Sequence, residues 1–258
     1  MTLSVARQMI GAEILKVRRN RSVMAFALLL SAGVIVIMFG YTAIEHSSNP
    51  AHNAPAGGIL GFTRGVRSLG EFLGMLAAVL IGAEVGTADL SSGVFRDLVT
   101  TGRSRLALFA VRLPAAAIVT LCLSAFSYGL VLIGSFALAG GTATPDLSLI
   151  LQGAGWIALA NVAVAALAVG VGSVTGSRAL TLTAVIGWQA IVTNLLVNIS
   201  SLGSARDVLL TPALTNLMPV TGGDGSVFMA ATTAVAVVCG WLLVSQFAGA
   251  WRNETQDA

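Results

Sequence analysis

Few residues in this 258-residue chain could do chemistry, and each stands apart from the others. Glu84 interrupts the apolar run Phe72–Ala88. A carboxylate there could relay an ion, or it could form a structural ion pair with Arg96, Arg103 or Arg105. His46 and His52 sit among Ser47, Ser48, Asn49 and Asn53, with no cysteine or paired carboxylate to complete a metal site. Cys122 and Cys239 each lie in a long apolar run, which excludes a disulfide framework or a cysteine zinc site. Lys16 is the only lysine, and no G-x-x-x-x-G-K-[ST] run occurs. The chain therefore carries no phosphate-binding loop of the common kind, and any ATP it uses must be bound by another chain. No catalytic residue, cofactor or metal ligand is expected on this polypeptide.

The elements that hold these residues follow from composition. Apolar residues make up 56% of the chain and charged residues 10%, against about 25% charged in a soluble domain. A soluble enzyme, a nucleic-acid-binding domain and a disordered chain are all excluded, and no nucleic-acid partner is expected. A crossing helix needs about 20 apolar residues. Charge-poor runs of that size predict spans at about 22–44, 69–88, 113–139, 147–171, 179–197 and 227–249. The expected fold is all-α: a single six-span domain over residues 1–258, with an outer re-entrant segment at 198–226, within which the charge-free stretch Val208–Gly223 carries Pro212 and Pro219 and is too short and broken to cross.

Basic residues set the expected orientation. With the N-terminus in the cytoplasm, Arg7, Lys16, Arg18, Arg19, Arg21, Arg96, Arg103, Arg105, Arg112, Arg178 and Arg252 fall inside, and only Arg64, Arg67 and Arg206 fall outside. Both termini are then cytoplasmic. Residues 1–21 place Val5, Met9, Ile10, Ile14 and Val17 on one side, with a basic cluster at the end. That pattern predicts an amphipathic helix on the inner membrane surface. The first apolar run exceeds the roughly 7–15 residues of a signal sequence, so a retained span is expected.

Two faces invite a partner. Gly70, Gly74, Ala78, Gly82 and Gly86 form a stripe of small residues along span two, fit for close packing within the subunit or between subunits. Span five carries Thr181, Thr183, Gln189, Thr193 and Asn194. Gln189 and Thr193 share a face beside Trp188. They suit either interhelical hydrogen bonds or the border of a cargo cavity.

The segment after span two is the most informative. It reads Gly82-Ala-Glu84-Val-Gly86-Thr87-Ala-Asp89-Leu90-Ser-Ser-Gly-Val94-Phe95-Arg96-Asp97-Leu98-Val-Thr-Thr-Gly102-Arg103-Ser104-Arg105. It resembles the permease subunits of type-2 ABC transporters, the six-span exporters. Glu84, Gly86, Thr87, Ser104 and Arg105 match that family's acidic residue, Gly-Thr turn and Ser-Arg pair. Gly102 departs from the usual proline and Arg112 from the usual lysine.

The resemblance implies a mechanism. Two permease copies, or this chain and a homologous permease, would pair in a bacterial plasma membrane. Each would dock on a separate ATP-binding cassette subunit, which holds the ATP and Mg. Segment 87–105 would be the coupling element, with Asp89, Leu90, Val94, Phe95, Arg96, Asp97, Arg103 and Arg105 facing that subunit. A hydrophobic or amphipathic cargo, drug-like, peptide or lipid-like, would leave outward. The alternative is an ion- or proton-coupled carrier working through Glu84. Such carriers are often built from repeated halves, and residues 1–139 and 140–258 show no repeat.

Overall fold

The computed structural model describes residues 3–91, 102, 104–219 and 229–255, and all its regular structure is helical. Six helices are long and apolar enough to cross a membrane, which makes this a multi-pass membrane protein. They are span one (Arg21–Ser48), two (Gly58–Leu90), three (Arg105–Ala137), four (Leu147–Thr175), five (Arg178–Asn198) and six (Ala231–Thr255). An N-terminal helix, Leu3–Arg19, precedes them.

Local chemistry sets the ends. The Asp146 carboxylate accepts from the Leu149 N–H at 2.8 Å and starts span four. Gly176, at φ 64°, closes the same span in the left-handed conformation that glycine adopts without strain. Ser104 caps span three by accepting from the Ala107 N–H. Spans one, two and five each contain a π turn, at Leu29–Gly33, Ser68–Phe72 and Gly187–Val192. One extra residue per turn re-aims the side chains that follow.

Spans two and four form the centre, each 72% buried in its most apolar stretch, whereas spans five and six are only 22% buried. The small-residue stripe explains the central contact. A Cβ on Gly82 would fall on the Ala165 carbonyl of span four, and one on Gly86 would lie 2.8 Å from the Val169 carbonyl. Gly70 makes room for the Trp156 ring. The stripe is thus used within the chain, between spans two and four. Val79, Val164, Val185 and Val238 then pack with Leu210 and Leu214 of a short inserted helix, Leu210–Asn216. That helix is anchored by Trp156, whose indole N–H donates to the Leu214 carbonyl at 2.7 Å.

One expected feature is corrected here. Span two does not turn at Gly86-Thr87 but stays helical to Ser91. Two local contacts account for this. Gly86 sits against Val169 and Gly172, and the Thr87 hydroxyl donates to the Ala83 carbonyl one turn back, at 2.7 Å.

Candidate functional site

Charged residues from four of the helices meet at one end of the bundle, which we call the basic end. Lys16, on the N-terminal helix, lies 2.6 Å from Glu13 and 2.7 Å from Asp89 of span two. Both carboxylates are buried, each 7% exposed. Burial, reinforced by Asp89, pushes the Glu13 carboxyl above its usual range against the pull of Lys16. Burial draws the Lys16 ammonium down, but its hydrogen bonds to Asp89 and Glu13 outweigh that and leave it raised. One turn away, Glu84 uses both oxygens. Oε1 accepts from the Asn20 amide at 2.7 Å, and Oε2 pairs with Arg178 of span five at 3.1 Å.

The third centre is Arg112, on span three and 1% exposed. Its Nη1 donates to the Ser173 hydroxyl at 3.1 Å, and at 3.4 Å to both the Gly86 carbonyl and the Asn253 side chain. A guanidinium offers five donors in a fixed fork, so one side chain can tie spans two, three, four and six together. Among the described residues, the cluster sets three acidic groups, Glu13, Glu84 and Asp89, beside three basic ones, Lys16, Arg112 and Arg178.

No protein-family model and no curated protein matches the chain. What can be said of its site rests on the residues themselves.

Among the described residues, the ion-pair partner of Glu84 is Arg178, because the start of span five abuts the end of span two. Arg105 instead donates to the Glu254 carbonyl at 3.2 Å. Arg96 and Arg103 lie outside the described residues, as do Val94, Phe95 and Asp97. Of the remaining coupling candidates, Asp89 is turned inward to Lys16, and Leu90 is half-buried on the last turn of span two.

Gln189 and Thr193 lie one turn apart on span five, both 2% exposed, and Gln189 faces the inserted helix of the same chain. The Thr211 hydroxyl donates to Gln189 Oε1 at 2.7 Å. Trp188 stands beside them with its ring 5.9 Å from Trp241 of span six.

Several contributors were not foreseen from sequence. Glu13, Asn20, Ser173 and Asn253 are scattered along the chain, and each occurs singly among residues of other types. Glu13 carried the one available signal: an acid on the apolar side of the N-terminal helix, three residues before the only lysine.

Proposed function

We propose that this chain is the membrane-spanning subunit of an ATP-driven exporter of the type-2 ABC class. Its basic end would lie in the cytoplasm of a bacterial cell. The observation that carries this reading is the anchoring of both ends of segment 92–103. On one side Asp89 is tied to Lys16 and the N-terminal helix. On the other, Ser104 caps span three, and Arg112 grips spans two, four and six. A push on the intervening residues would reach those helices together, because buried ion pairs and packed helices move as units rather than deform gradually. That is what a coupling segment requires.

The rest of the proposal follows from the same reading. The ATP and Mg belong to a cassette subunit docked at this segment, and the chain alone hydrolyses nothing. A second copy or a homologous permease packs on the open faces of spans five and six. The cargo is hydrophobic or amphipathic and moves outward. A carrier role for Glu84 is less well supported, since both its oxygens are engaged by Asn20 and Arg178.

Reconstituted vesicles separate the two readings. Transport should require the cassette subunit and ATP, and should persist when an ionophore dissipates the proton and sodium gradients. Hydrolysis of ATP by the purified chain alone, or gradient-driven transport without nucleotide, would overturn the proposal.

A further inference from the structure

The middle of span five holds polar groups that the basic-end cluster does not use. Three atoms on the π turn of span five and just past it have no hydrogen-bond partner among the described residues: Trp188 Nε1, Gln189 Nε2 and Thr193 Oγ1. Gln189 and Thr193 are almost wholly buried. Buried polar groups in native proteins are paired, with protein or with ordered water. Ser31, Thr87 and Ser135 meet the need locally by donating to the carbonyl four residues back, whereas the Thr120 and Ser127 hydroxyls of span three, like that of Thr193, do not. Thr193 follows the π turn, where its own N–H reaches back five residues to the Trp188 carbonyl, and its hydroxyl has no such bond.

The Gln189 amide narrows the chemistry of the missing partner. As placed, Oε1 accepts from Thr211 and Nε2 is an unpaired donor. Turning the amide over would exchange that donor for an unpaired acceptor. Thr193 can donate or accept. A water molecule satisfies either arrangement, whereas a carbonyl oxygen or an ammonium satisfies only one. Gln189 lies nine residues inside the end of span five at Asn198, about 14 Å deep at the helical rise. The segment that covers it, the inserted helix, arrives from that same end.

We propose that span five and the inserted helix enclose an internal hydration site, in which water bridges Gln189 and Thr193 beneath Thr211. The claim does not depend on what the protein carries or what powers it.

Radiolytic labelling of the full chain in lipid nanodiscs, in oxygen-18 water, tests it. Bound water next to an indole delivers the label to that ring, so Trp188 should be labelled in the native protein. The variant Q189M/T193V keeps volume and removes the polar atoms, and Trp188 labelling should then fall several-fold. Trp251, 62% exposed at the other end, should not change. If the double variant does not fold, T193V alone gives the same readout. In parallel, T211V should speed amide exchange across 210–216 by about five- to tenfold, the effect of losing one hydrogen bond. Trp188 labelling that is unchanged in the variants overturns the proposal, because the label then comes only from the ring's own exposure. A variant more heat-stable than the native protein, with Trp188 unlabelled in both, overturns it as well, because the site is then dry.

Discussion

Lys16→Met is the most revealing single change at the basic end. It removes the cation shared by Glu13 and Asp89, which stand 2.6 and 2.7 Å from its ammonium. Breaking a fully buried pair by removing one partner costs about 3–5 kcal/mol. The Lys16 side chain is 38% exposed, so solvent screening reduces this to about 1–3 kcal/mol. Since 1.36 kcal/mol is a factor of ten, the N-terminal helix should open roughly 5- to 150-fold more often. Amide exchange over residues 10–19, in the protein held in nanodiscs, reads this directly.

The pH dependence has a definite sign. Glu13 has a raised pKa in the folded protein. Its ionised form is therefore penalised above that pKa, and the penalty is relieved as pH falls through it. In the variant the two carboxylates repel, so the defect should be smaller in acidic than in neutral buffer as Glu13 takes up a proton. K16M/D89N should be closer to native than K16M. Exchange that is unchanged in K16M, or equally fast in both buffers, would refute the assignment of Lys16 as the clamp.

Other expectations follow from single contacts. Gly82→Val drives side-chain atoms into the Ala165 carbonyl and Ala168; it should destabilise the protein by about 1–3 kcal/mol in denaturant titration, and the neighbouring exposed change Phe72→Leu should not. Trp156→Phe loses one hydrogen bond to Leu214, worth about 1 kcal/mol, and should raise proteolysis within 200–216 before any loss of the other helices. For Glu84 and Arg178, a double-mutant cycle with Gln at both positions should give a coupling of no more than about 1 kcal/mol, because Arg178 is partly exposed.

The membrane fold was legible in the sequence because its cause is compositional. Twenty apolar residues in a row permit little else, so six spans could be counted directly. Their ends were less legible. Span three begins at Arg105 and span two runs to Leu90 because Ser104, Thr87 and Gly86 satisfy backbone groups or pack locally, and charge boundaries do not report such contacts. The glycine stripe announced a close packing surface but not its partner; only the three-dimensional arrangement gives it to span four. The basic-end cluster was the least legible part. Glu84 stood out as a charge in an apolar run, yet Arg178 is 94 positions away. Arg112 looked like one more inside positive charge until its burial against Ser173 and Asn253 was seen. Long-range pairs leave no trace in a single sequence.

The exporter account is tested most directly at the segment between the two anchored ends. Photo-crosslinking residues placed one at a time at positions 91–97, in the native membrane with the full chain, report what that segment touches. The account predicts a crosslinked chain that itself carries a phosphate-binding loop, with crosslinks that change when ATP is trapped. Crosslinks to lipid alone at every position, with ATP-independent transport retained, would contradict it.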